Sequence, residues 1–270
     1  MNLEELGLPL GQIVAQPDDY SADHLAPVPR DWARQKEGVD AAVMDGVDVW
    51  NLWELSWLDL DGKPIQATGQ FFVPHSSPNL VESKSIKLYF NSMNNHRLGG
   101  DWSVVEARIA ADLSAKAGAP VRVELTAVDQ GVLGGVTSIA GECIDPAGWI
   151  DGYRLGPDIA QVEPEAVTLY SDAFRSLCPV TAQPDWATVI IDYQGPRLDR
   201  AKLASYLGSF RNHQGFHEAC CERILGELLA VTGADKLSVQ ACFLRRGGID
   251  INPYRSTAFC EAPARRLSRQ

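Results

Sequence analysis

Tyr89, Ser92, Asn95 and His96 recur as Tyr206, Ser209, Asn212 and His213, each at the same offset of 117 residues. Acidic Glu82 and Asp199 fall on that register too. The period is far too long for a solenoid repeat and has the size of a small domain, so the chain reads as two fused copies of one module. This restricts the architecture: the fold adopted by residues 1–135 should recur in residues 136–270. The copies differ in chemistry. Leu177-Cys178-Pro179-Val180-Thr181, followed by Asp185, occurs only in the second copy. At the same offset Cys178 and Asp185 project onto Asp61 and Thr68, neither of which carries a thiol.

Apolar periodicity gives each copy a similar element order. Val47, Val49, Trp53, Leu55 and Trp57 alternate as in a strand, and a turn over 59–64 leads into a second strand over 65–73. Ile86, Tyr89, Phe90 and Met93 follow helical spacing, 102–116 reads as a second helix and 121–128 as a returning strand. In the second copy, 167–170 and 186–193 read as strands. Two helices follow, one through Leu203, Tyr206, Leu207 and Phe210, the other through Phe216, Cys220, Ile224 and Leu228. Strands at 237–243 and 249–251 flank the turn Arg245-Arg246-Gly247-Gly248. Pro17, Pro27 and Pro29 mark 1–45 as an irregular lead-in wrapping the first module, and the Gly- and Pro-rich stretch 129–165 as a connection. The fold class is α+β, sheet layered with helices.

A 270-residue chain with 45% hydrophobic content can bury one large core or two modest ones. Its net charge of −11 repels polyanions, and no cluster of Lys or Arg offers a phosphate-binding patch, so direct nucleic-acid binding is not expected. The acidic start Met1-Asn2-Leu3-Glu4-Glu5 is unlike a signal peptide, and no apolar run has the length to cross a bilayer. A cytoplasmic location is expected. The six cysteines are dispersed, with Cys220 and Cys221 adjacent, and a reducing compartment favours free thiols over disulfides. No metal-ligand spacing is present.

Cys178 is either a nucleophile toward electrophilic carbon or a small buried hydrophobe before a proline. Asp185 either moves a proton for it or caps a strand. Val81-Glu82-Ser83-Lys84-Ser85-Ile86-Lys87 sets an acid, hydroxyls and two ammonium groups at a helix start, which suits either a phosphate or an ordinary N-terminal cap. In Phe216-His217-Glu218 an aromatic face and a carboxylate suit the edge of a guanine-like ring, or else simply begin a helix. Arg246-Gly247-Gly248 brings a cation and bare backbone to a phosphate, or closes a tight hairpin.

Together these motifs resemble the NADPH-dependent 7-cyano-7-deazaguanine reductases, the nitrile reductases of queuosine biosynthesis, in their longer two-module form. The resemblance spans essentially the whole chain. It implies two tandem tunnelling-fold modules, with Cys178 adding to the nitrile carbon as a covalent thioimide and Asp185 as proton donor. It further implies that Val81, Glu82, Ser83, His217 and Glu218 contact the deazaguanine, and that Ser83, Lys84, Arg246 and Gly247 contact NADPH. A homodimer and no metal are expected with it. The chain lacks a Gly-x-Gly-x-x-Gly strand-to-helix turn, so a Rossmann mode of cofactor binding is not expected. Two other functions fit the residues alone: a thiol hydrolase acting on a nitrile or amide, and a non-catalytic purine- or pterin-binding module.

Overall fold

The computed structural model describes residues 8, 9, 11, 17, 19–131, 135–258 and 261–270; the acidic start Met1–Glu5, Gly134 and Cys260 lie outside these. The first half runs β1 (Pro27–Pro29), α1 (Arg30–Glu37), β2 (Asp45–Leu58), β3 (Pro64–Pro74), β4 (Asn79–Val81), α2 (Ser83–Met93), α3 (Trp102–Ala117) and β5 (Arg122–Ala127). The second runs β6 (Glu142–Cys143), β7 (Ala160–Ser171), β8 (Arg175–Leu177), β9 (Pro184–Leu198), α4 (Arg200–Ser209), α5 (His217–Thr232), β10 (Lys236–Phe243) and β11 (Ile249–Ser256).

These elements group into two compact units. Unit 1 holds Met1–Trp32, Asp48–Gly135 and Arg245–Asp250, and unit 2 holds Ala33–Val47, Val136–Leu244 and Ile251–Gln270. In unit 1 the strand order is β5-β3-β2, with β3 and β5 antiparallel from Ala67↔Ala127 to Phe72↔Arg122. Trp50 stacks on Phe71 at 5.1 Å, and the buried face of α2 supplies Ile86, Tyr89, Phe90 and Met93. In unit 2 the order is β11-β10-β9-β7-β6, with β9 antiparallel to both β10 and β7. Val189 and Ile191 of β9, Val239 of β10, and Ile224, Leu225 and Leu228 of α5 share one core.

The matched residues turn out to be frame. Glu82 caps α2 and Asp199 caps α4, each accepting main-chain N–H groups of the first turn. Tyr89 donates to Asp112 at 2.7 Å as Tyr206 donates to Glu227 at 2.6 Å. Ser92 and Ser209 bond back to the carbonyls of Tyr89 and Tyr206. The His96 carbonyl accepts the N–H of Leu58, as that of His213 accepts the N–H of Leu177. Nothing in the structure explains the match of the exposed Asn95 and Asn212.

Three expectations need correction. Residues 30–37 form a helix rather than an irregular stretch, anchored in unit 1 by a buried Arg30–Asp48 ion pair at 2.5 Å. From Ala33 to Val47 the lead-in belongs to unit 2, where Arg34 meets Glu222 at 2.9 Å, so it does not wrap the first module alone. The last strand runs on to Ser256 through Pro253, pairing Gln240↔Tyr254 and Ser238↔Ser256.

Candidate functional site

In unit 2 a short hairpin carries the candidate nucleophile. β8 pairs with β9 through Ser176↔Asp185 and Leu177↔Pro184, and Cys178 opens the loop between them. Its N–H donates to the Gln183 carbonyl at 2.8 Å, and its own carbonyl accepts the N–H of Ala182 at 3.0 Å. Closing so tight a loop places Ala182 at φ 54, the one non-glycine with positive φ among the described residues. The N–H of Thr181 points at the Cys178 sulfur at 3.5 Å. Cys178 is 9% exposed.

Unit 1 contains the same loop without the thiol. Asp59 donates its N–H to the Lys63 carbonyl at 2.9 Å and accepts that of Gly62 at 3.1 Å. The frame therefore equates Cys178 with Asp59, not Asp61, and Asp185 with Ile65, not Thr68. The offset is 119 at Cys178 and 120 at Asp185 because the Cys178 loop has one residue more, and it becomes 117 only where unit 1 has three residues more between Ile65 and Glu82 than unit 2 has between Asp185 and Asp199.

Asp185 is buried, and its Oδ1 lies 3.7 Å from Nε2 of His217. His217 opens α5 and stands edge-on to Phe243, centroids 4.1 Å apart. Glu218 is the acidic residue of that first turn and is 3% exposed. Phe216 is buried at the helix N-cap position. Cys178, Asp185, His217 and Glu218 thus all lie in unit 2. Beside them, burial pushes the Cys220 thiol up to about 12, which leaves it protonated and inert.

The remaining candidates lie in unit 1. β1 pairs with β4 through Pro27↔Val81, and the Ala26 carbonyl accepts the Glu82 N–H at 2.9 Å, which fixes the start of α2. The Glu82 side chain accepts from Lys84 N–H at 2.5 Å, Ser85 N–H at 2.8 Å and the Ser83 hydroxyl at 3.3 Å. Burial pushes its carboxyl above the ordinary range against those lowering hydrogen bonds. A carboxylate offers about four lone-pair positions, so one on Oε2 is left after the cap. Those N–H groups therefore already face an anion supplied by the chain.

Lys84 and Lys87, one turn apart, border a 670 Å³ cavity with Trp53, Glu54, Gly247 and Gly248. Gly247 has φ +56, and a Cβ there would sit 3.1 Å from Cε of Lys87. The Arg246 N–H and the Ile249 carbonyl close the turn at 2.9 Å. Arg245 lies 4.1 Å over the Trp53 ring. The sequence reading took Trp53 and Glu54 only as strand; the signal was a charge beside alternating aromatics.

Among the described residues, no cluster of His, Cys, Asp or Glu is arranged to hold a metal ion, and no helix is long and apolar enough to cross a membrane. Residues 16–125 match the family model described as nitrile reductase, 7-cyano-7-deazaguanine-reductase N-term, and residues 184–261 match that described as QueF-like protein. The α+β, mainly antiparallel make-up of both halves is that of tandem tunnelling-fold modules.

Proposed function

We propose a covalent, NADPH-dependent nitrile reduction for this chain, which belongs to the 7-cyano-7-deazaguanine reductase family of queuosine biosynthesis. The observation that carries the reading is the Cys178 loop, with Thr181 N–H aimed at the sulfur and Asp185 paired into the adjoining strand.

The Cys178 thiol adds across the nitrile: a sulfur–carbon bond forms, one carbon–nitrogen π bond and the sulfur–hydrogen bond break, Asp185 delivers a proton to nitrogen, and the thiol proton replaces it on the carboxylate. The resulting thioimide is a better hydride acceptor than the bare nitrile. When bound, NADPH supplies hydride, two equivalents for the four-electron change to 7-aminomethyl-7-deazaguanine. After the first reduction Cys178 departs as the thiol, leaving an imine for the second. Phe216, His217 and Glu218 are the proposed contacts to the deazaguanine, with Glu218 accepting from its N–H edge. The family resemblance adds Val81, Glu82 and Ser83 as proposed substrate contacts.

The unit 1 cavity suits a dinucleotide. Its volume lies within the range of about 300–1,000 Å³ usual for ligand sites, and Lys84 and Lys87 supply two cations. Gly247 leaves open the space that a Cβ would fill beside Lys87. Lys84 and Gly247, which line it, would hold the phosphates there, with Ser83 and Arg246 as the further cofactor contacts that the family resemblance implies. The working form is proposed to be a cytoplasmic homodimer, which light scattering tests by mass.

Loss of reduced-nicotinamide absorbance with 7-cyano-7-deazaguanine, beside Cys178→Ala, tests the reaction. The expected result is two NADPH per nitrile and an inactive variant. Ammonia or a carboxylate without NADPH oxidation would make the chain a thiol hydrolase instead.

A further inference from the structure

The residue before Cys178 is bracketed by a segment that the reaction does not use. Leu177 donates its N–H to the His213 carbonyl at 2.8 Å, and its own carbonyl accepts the Gly215 N–H at 3.1 Å. The position of the Cys178 sulfur therefore depends on how firmly 213–215 is held. The His213 ring supplies the grip. Its Nε2 lies 3.0 Å from Glu37 Oε2, and the carboxylate side chain is 3% exposed. Its Nδ1 lies 3.4 Å from Arg223, which only donates, while Nε2 meets Glu37 as a close charged contact and not as an aligned hydrogen bond. Phe210 meets the ring edge-on at 5.4 Å, and Gly215 lies so close that a Cβ there would be 2.8 Å from Nε2. Lys36, next to Glu37 on α1, donates to the Gln214 carbonyl at 3.2 Å.

Unit 1 provides an internal comparison. His96 and Leu98 bracket Leu58 with the same two main-chain bonds, at 2.9 and 3.0 Å, ahead of Asp59. There the ring lies against Tyr20, centroids 5.3 Å apart, and among the described residues it does not stand between a buried carboxylate and a guanidinium. The backbone corner is common to both copies, whereas the charged clamp accompanies the thiol.

We propose that His213, gripped by Glu37 and Arg223, is a positioning residue that sets the attack geometry of Cys178. The inference rests on the covalent reading above. A shift of about 1 Å in a reacting group costs on the order of 10²-fold in rate, so a loosened corner acts on the chemical step and not on substrate binding. The fold tolerates loss of the ring, because Glu37 keeps Arg223 at 3.3 Å.

The test is His213→Ala with His213→Gln, whose amide can reach Glu37, and Gly215→Ala, whose methyl displaces the ring. For His213→Ala and Gly215→Ala, kcat is expected to fall at least ten-fold with KM for the nitrile within two-fold, and His213→Gln to recover most of the loss. Amide hydrogen exchange over 175–183 should quicken at least ten-fold in His213→Ala, with the core of unit 2 unchanged. Unchanged exchange, or a loss confined to KM, overturns the proposal. If the wild-type chain does not turn over the nitrile, the covalent reading fails, and exchange over 175–183 alone decides whether His213 sets the loop.

Discussion

Nε2 of His217 lies 3.7 Å from Oδ1 of Asp185, beyond hydrogen-bond reach but within range of its charge. Asp185 is the proposed proton donor to the substrate nitrogen. Asp185→Asn is therefore expected to slow adduct formation at Cys178 by about 10²–10⁴-fold, the usual worth of a positioned proton donor. Intact-mass spectrometry of the Cys178 adduct over time checks this; adduct formation at the wild-type rate would remove Asp185 from the step.

Gly247→Ala should separate the two ligands. The added methyl reaches Lys87 and is strained at φ +56, at a cost of about 1–2 kcal/mol. KM for NADPH is expected to rise at least five-fold, with the rate of nitrile adduct formation unchanged. Steady-state and single-turnover kinetics on one preparation show whether the two part.

Glu222 is expected to matter for stability. Its Oε1 takes Arg255 Nε and NH2 at 3.0 and 2.8 Å, and Arg34 NH2 at 2.9 Å, all in unit 2. Glu222→Gln removes the carboxylate that neutralises a fully buried guanidinium, and should cost about 3–5 kcal/mol in urea unfolding.

Glu82 and Glu37 should give pH effects of opposite sign. Burial raises the Glu82 carboxyl, so its stabilising contribution is complete below the ordinary glutamate value and lost as pH climbs through the folded one. Burial also works against Glu37, but His213 and Arg223 outweigh it and hold that carboxyl low. Its contribution is present above the ordinary value and lost as pH falls through the folded one. Relative to wild type, Glu82→Gln should gain stability as pH rises through the acid range and Glu37→Gln should lose it. Parallel urea-unfolding curves against pH would contradict both.

The duplicated register was legible because it falls on residues that cap and brace helices, where spacing is fixed by the 3.6-residue turn. The equivalence of Cys178 was not, because length differences in the loop and in the stretch before α2 and α4 shift the offset without disturbing the paired strands. The helix at 30–37 was hidden by a low apolar content: Arg30 and Arg34 hold it through buried ion pairs, which periodicity does not register. The strand expected at 249–251 was too short: β11 runs on through Pro253 to Ser256, since a proline breaks a strand only where its missing N–H is needed. Cys178 and Asp185 stood out by residue type, whereas His213 read as repeat scaffolding until Glu37, 176 positions earlier, was found beside it.

Asp59 and Cys178 leave their strands through the same pair of main-chain bonds, and each loop ends on a left-handed residue, Gly62 or Ala182. On the proposed covalent reading, reactivity in this duplicated chain is a cassette. Exchanging 59–63 for 178–183 would transplant the proposed nucleophile into a frame already shaped to receive it. By the same token, after duplication one copy could fall silent through changes in a single turn while continuing to serve as architecture.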